Sequence, residues 1–169
     1  VVKTAAGECL LTTEGGWRIG IAEQSELVVR PTFVHRLGEV VYRVKAAMGV
    51  QIERVEVLVE GTEFRVQRGE GGALQLQSGR VRVVGDTDVA VAPGQAVDFG
   101  LDGAVAAPRA MGAAERASLV RSMHRLTSPG GGQPLRLKRF HLMLAEGPAL
   151  RQGKGWSSTT LALQTRLIG

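Results

Sequence analysis

The sequence predicts a mostly β fold: a twisted β-sandwich or short β-solenoid of short antiparallel strands, followed by one amphipathic helix and a C-terminal β-hairpin. Three observations predict it. Through the first hundred residues apolar side chains recur at every second position, which is the strand period. Gly, Asp and Pro interrupt that alternation at intervals of about 8–10 residues, as turns require. Finally, 23 glycines and only 4% aromatic residues suit short strands and tight turns, while 44% hydrophobic residues supply a core for 169 residues.

The elements follow in order. Cys9 to Thr12 and Trp17 to Ile21 predict a hairpin around Glu14-Gly15-Gly16. Glu26 to Arg30 is a strand ended by Pro31, which has no N–H to give a ladder. Val40, Tyr42 and Val44 share one strand face, as do Val55, Val57 and Val59, with charges opposite. Phe64 and Val66, Leu74 and Leu76, Val81 and Val83, Val89 and Val91, then Val97 and Phe99 continue the alternation. Gly69, Gly71, Gly79, Gly85-Asp86 and Pro93-Gly94 fall at the breaks.

The pattern changes after Phe99. Leu101-Asp102-Gly103 is a turn and residues 104–108 an extended connector. Leu119, Val120, Met123 and Leu126 recur at helical spacing, with Arg116, Arg121 and Arg125 elsewhere on the wheel, predicting a helix over about 113–126. A Gly/Pro-rich hinge over 128–134 ends it, and a hairpin over about 135–167 follows, with a bulge near Lys138-Arg139. The chain is thus read as a β domain, 1–104, and a basic C-terminal region, 105–169.

Charge divides the same way. Before Ala106 there are 11 basic and 14 acidic side chains; from Ala106 onward there are 10 basic ones against Glu115 and Glu146. The formal +5 therefore belongs to the last third, a surface suited to something acidic. No apolar run reaches the roughly 18–20 residues that span a bilayer. No basic segment leads into an apolar stretch as in a secretory signal. The start at Val1-Val2, without Met, reads as a processed or trimmed piece. Cys9, the single cysteine, permits no internal disulfide and reads as a small core residue.

Three motifs, in order and at matching spacing, carry a resemblance over about residues 1–100. Leu37 to Val44 leads into Val57-Leu58-Val59-Glu60-Gly61-Thr62-Glu63-Phe64-Arg65-Val66. Leu76 to Val83 is a strand–Gly–strand element through Gly79, and Val91-Ala92-Pro93-Gly94-Gln95-Ala96-Val97 closes the set. Together they resemble the FecR-like domain. The resemblance implies a β-rich, extracytoplasmic domain, periplasmic or at the cell surface, that works through contacts with proteins and has no catalytic residues. Its best-known members pass a signal from an outer-membrane transporter to a sigma factor. The membrane helix and cytoplasmic segment of those regulators have no counterpart here. Within the motif, Gly61 is expected in a backbone conformation other residues avoid, turning the strand through a corner. Thr62 bonds that corner, and Phe64 fills the core beside Val66. Gly79, Gly94 and Gln95 belong to the same fold-making set.

Residues that carry chemistry are sparse. His35, His124 and His141 lie far apart with no metal-ligand spacing. Asp86-Thr87-Asp88 reads as a turn, and Glu56, Glu60 and Glu63 as solvated charge. Gly147 to Gly155 imitates a phosphate-binding loop but has five residues between its glycines, not four, and Gly155 where the hydroxyl belongs. The reading is therefore non-enzymatic, with no cofactor, metal or small-molecule substrate: a protein-interaction module serving as a scaffold, assembly or signalling component of the bacterial envelope, or assembling with itself. The alternative is a polyanion-binding module, for envelope polysaccharide or nucleic acid, using the basic third. For either, the candidate contacts are Arg116, Arg121, Arg125, Arg136, Lys138, Arg139 and Lys154.

Overall fold

The structure, a computed structural model, describes residues 1–13, 16–29 and 32–128, and the backbone of 135–136. The fold is mostly β with one helix. The strands are β1 (Val2–Lys3), β2 (Cys9–Thr12), β3 (Arg18–Ile21), β4 (Glu26–Val28), β5 (Phe33–Arg43), β6 (Met48–Ile52), β7 (Val55–Arg68), β8 (Gly72–Val84), β9 (Asp88–Val91), β10 (Gln95–Phe99), β11 (Arg109–Ala110) and β12 (Leu135–Arg136); the helix is α1 (Ala113–Thr127). They form one open mixed sheet in the order β11-β10-β8-β7-β6-β5-β3-β2-β12. Beside that path β4 pairs with β1 and β5, β9 pairs with β8, and β5 also pairs with β7.

Not every strand is short or antiparallel. β5, β7 and β8 run for 11, 14 and 13 residues, and β5–β6 and β12–β2 are parallel pairs. The long strands arise because a glycine lets each continue through a corner instead of ending. In β7 the inward-facing buried positions are Val55, Val57 and Val59, then Thr62, Phe64 and Val66, with Arg65 buried on the opposite face. Odd positions point inward before Gly61 and even ones after it. Side-chain direction has a period of two, so one extra residue exchanges the faces. The register slip with β8 lies there, between Glu60 and Glu63. β8 changes parity at Gly79, from Leu74 and Leu76 to Val81 and Val83. β5 does so around Gly38, from Phe33 and His35 to Val40 and Tyr42. All three glycines have left-handed φ, +84° at Gly38, +55° at Gly61 and +91° at Gly79.

Each long strand therefore changes neighbours at its corner while keeping apolar side chains on one interior. β7 pairs with β6 through Val55–Val59 and with β5 through Glu63–Arg68. One buried cluster takes side chains from both sides of the corners. At its centre Tyr42 stacks on Phe64, ring centroids 4.6 Å apart, and meets the edge of Phe33 at 6.4 Å. Cys9 is buried in this cluster. Thr62 donates its hydroxyl to Arg80 O at 3.1 Å, tying the β7 corner to β8. Gly94, at φ +82°, donates to Leu76 O at 2.9 Å, and Gln95 Oε1 accepts from the Ala92 N–H at 2.9 Å.

The opposite face of the second half-sheet seats α1. Gly20, Val41, Arg65, Gln75 and Ala96 lie directly across from one another on β3, β5, β7, β8 and β10, and Arg109 continues the row on β11. Five strands in register span about 19 Å at the usual interstrand spacing. The helix runs 15 residues, about 22 Å. Leu119, Met123 and Leu126 are buried with Ala22, Val41, Ala96 and Met111. A Cβ on Gly20 would stand 2.5 Å from Leu126 Cβ, so glycine there permits the close approach of helix to sheet. Val120, expected on the buried stripe, is 50% exposed, because the buried arc passes through Ser122 instead. The hinge and hairpin expected beyond Ser128 lie outside the described residues, apart from the backbone of β12, which pairs with Leu11 and Thr12 of β2.

Candidate partner-binding face

Polar clips hold α1 in register. At its start the Glu115 carboxylate accepts two bonds from the Arg109 guanidinium, at 2.8 and 2.9 Å, and one from the Gly112 N–H at 2.9 Å. Those bonds, Arg109 first, hold the Glu115 carboxyl down at about 2. At its end Arg18 Nη1 donates to Thr127 O at 3.2 Å, supplying a cation where the helix presents unpaired carbonyls.

The central clip is Arg65, only 3% exposed. Its Nε donates to Gln75 Oε1 at 2.7 Å, and its Nη2 bonds the same oxygen. Nη1 donates to Ser118 Oγ at 3.2 Å and Ser122 Oγ at 3.0 Å, and the Glu39 carboxylate stands 3.8 Å away. Burial pulls the guanidinium's pKa down, against the opposing charges of Glu39 and Glu115. Arg65 was absent from the sequence-predicted sites. The available signal was the helical pair Ser118 and Ser122, one turn apart and each followed by an apolar residue, Leu119 and Met123; hydroxyls beside a buried stripe need a polar partner from the sheet.

With its inner arc occupied, α1 turns Arg116, Val120, Arg121, His124 and Arg125 outward. Arg125 pairs with Glu8 at 3.1 Å across two exposed side chains. Among the described residues Arg116 and Arg121 make no ion pair or side-chain hydrogen bond, whereas Arg36, Arg43, Arg68, Arg82 and Arg109 are all paired with carboxylates. On one flank Ser118, Val120, Arg121, Ser122, His124 and Arg125 line a shallow depression of about 700 Å³. Three predicted contacts, Arg116, Arg121 and Arg125, thus all lie on the exposed side of α1: Arg121 and Arg125, one turn apart, are neighbours, and Arg116 stands at the other margin. Arg136 is described only in its backbone; Lys138, Arg139, Lys154, His141 and the loop 147–155 lie outside the described residues.

The remaining candidates are dispersed. His35 is buried in β5, its Nε2 within 3.1 Å of Leu37 O and 3.2 Å of Gly38 O, while His124 is exposed on α1. Burial above all keeps His35 neutral, its pKa lowered to about 4. Asp86 lies in the turn before β9, and Asp88 pairs with Arg82. Glu56, Glu60 and Glu63 lie on the outer side of β7. Among the described residues no three His, Cys, Asp or Glu side chains gather as metal ligands, and no helix is long and apolar enough to cross a membrane.

No family model and no curated protein matches the chain. Among solved structures, two crystal structures of a "putative anti-sigma factor" from Parabacteroides distasonis ATCC 8503, at 1.65 and 2.50 Å resolution, are similar in fold. Each superposes with a TM-score of 0.57, at 15% and 14% sequence identity, over 70% and 71% of this chain. The match spans 63% of the length of those chains. At that identity the likeness is one of fold.

Proposed function

We propose that the chain is a FecR-like, extracytoplasmic protein-interaction module, a non-enzymatic component through which a bacterial envelope signalling or assembly system makes its contacts. The observation that carries this reading is the fold likeness, over about 70% of the chain, to the two structures described as those of a "putative anti-sigma factor". The three motifs around Gly61, Gly79 and Gly94, on which the FecR-like resemblance rests, support it as well, since each makes a corner or turn in this chain. The architecture suits transmission by contact: three long strands crossing one core form a stiff body, and a helix clipped to its outside offers a fixed face.

The test pairs location with contact. The chain's own host is fractionated and probed with antibody, and the full-length chain, immobilised, is offered envelope and cytoplasmic extracts. The expected result is recovery of the native protein outside the cytoplasm and saturable retention of a defined protein, competed by free chain. Recovery only in the cytoplasm, or repeated captures that retain nothing competable, overturns the reading.

A further inference from the structure

We propose that the outer face of α1 is the docking surface for an acidic, amphipathic segment of a protein partner; this rests on the interaction role proposed above and assigns its site. The argument begins with charge. The exposed side of the helix carries Arg116, Arg121, His124 and Arg125, and its one carboxylate, Glu115, is committed to Arg109 and the Gly112 N–H. Arg116 and Arg121 have no partner among the described residues, although the fold pairs most of its other described guanidiniums. The Arg125–Glu8 pair is exposed on both sides, so exchange of Glu8 for an incoming carboxylate costs little.

The flank adds donors of fixed position. Ser118 and Ser122 both accept from Arg65; the half-buried Ser118 hydroxyl keeps its own proton to donate outward, while Ser122 is buried. The depression they line with Arg121, His124 and Arg125 therefore offers hydrogen-bond donors to an anionic group. Arg65 also fixes the two serines against the sheet, so little ordering remains to be done on binding.

Apolar surface then selects among anionic partners. Val120, half exposed, stands between Arg116 and Arg121, with exposed Ala113 and Ala117 on the same side of the helix. A helix or strand with apolar residues on one side and carboxylates at its margins matches that arrangement. A nucleic acid matches it less well: the guanidiniums are interrupted by alanine and valine, and α1 carries no Phe, Tyr or Trp for bases to stack on, only the imidazole of His124.

The experiment uses the full chain and the variant Arg116→Glu/Arg121→Glu, with fluorescence anisotropy of four probes. These are a peptide with Leu at helical spacing flanked by Glu, the same peptide with Gln for Glu, a single-stranded oligonucleotide, and phosphatidylglycerol vesicles. The Glu peptide is expected to bind the wild-type chain and to lose about tenfold or more in affinity with the double variant. The Gln peptide is expected to bind both weakly and equally. Both substituted residues are exposed, and an unchanged urea midpoint establishes that the variant is folded. Equal affinity for the two peptides, no effect of charge reversal, or preference for the oligonucleotide or vesicles through the same arginines overturns the proposal. The peptide arm needs no natural partner, so it judges this face separately from the extract capture that judges the interaction role.

Discussion

Replacing Arg65 by Met keeps an apolar stem of similar length and removes the guanidinium that joins α1 to the sheet. Four hydrogen bonds disappear, two to Gln75 and one each to Ser118 and Ser122, with the longer pairing to Glu39. Bonds to a charged donor contribute about 1.5–3 kcal/mol each in isolation, but desolvating the guanidinium offsets much of that. The serines and Gln75 are then left under-satisfied beneath the helix. The net expected loss is about 2–4 kcal/mol, or roughly 5–12 °C in Tm for a chain of this size. Urea unfolding reads it as a lower midpoint at unchanged slope. Hydrogen exchange gives the sharper readout, since α1 amides should lose protection before those of β7 and β8. Arg65→Lys, retaining charge without the two-sided fork, should fall between Met and wild type. With Ser122→Ala added, the losses should be non-additive by about 0.5–3 kcal/mol. A midpoint shift worth less than about 0.5 kcal/mol, or protection lost equally from helix and strands, refutes the clip.

Three further outcomes are expected. Gly79→Ala forces a Cβ onto the Gly61 carbonyl and within 2.8 Å of Thr62 Cα, besides its left-handed φ, and should cost about 3 kcal/mol or more. Gly61→Ala meets nothing within 4 Å and should cost only about 1–2 kcal/mol for the φ alone; equal midpoints in urea would refute the steric argument. His35 binds its proton near 6.5 when unfolded but near 4 when folded, so the unfolded state takes up the proton first and stability falls as pH drops through that window. The loss approaches about 3 kcal/mol at the acid end, and His35→Gln should flatten the pH dependence between those limits; an unchanged slope refutes the assignment. Cys9, buried with its thiol pKa raised by desolvation, should react with a disulfide reagent only as fast as the fold opens, and rapid native-state labelling would refute its burial.

Strand content was legible in the sequence because alternation in a one-face-buried strand is direct: Val55, Val57 and Val59 all point inward. The change of phase was legible too, since apolar positions pass from odd to even between Val59 and Phe64. That Gly38 and Gly79 make equivalent corners follows by the same reasoning from Phe33 against Val40 and from Leu76 against Val81. Reading those positions as separate short strands missed it, because a turn and a corner share the same glycine signal. The parallel pairs and the burial of Arg65 were not legible. Both depend on which strands become neighbours, which a local period does not encode.

Parity also decides where α1 sits. Once the three corners place Val40, Tyr42, Phe64, Val66, Leu74 and Leu76 inside, the residues between them must face out. Val41, Arg65 and Gln75 are then adjacent in register, with Gly20 and Ala96 beyond them. The row is small at both ends, apolar at Val41 and polar at Arg65 and Gln75. A helix crossing it must offer bulk at its end and hydroxyls at its middle, and α1 does so with Leu126 over Gly20 and Ser118 and Ser122 over Arg65. Matching of a whole row to a whole helix fixes which arc of α1 is covered. It thereby fixes which arc is left: without the corner at Gly61 the odd positions would stay inward, putting Phe64 under the helix and Arg65 in the core. The exposed face carrying Arg116, Val120 and Arg121 is thus set by backbone geometry in strands far from it in sequence.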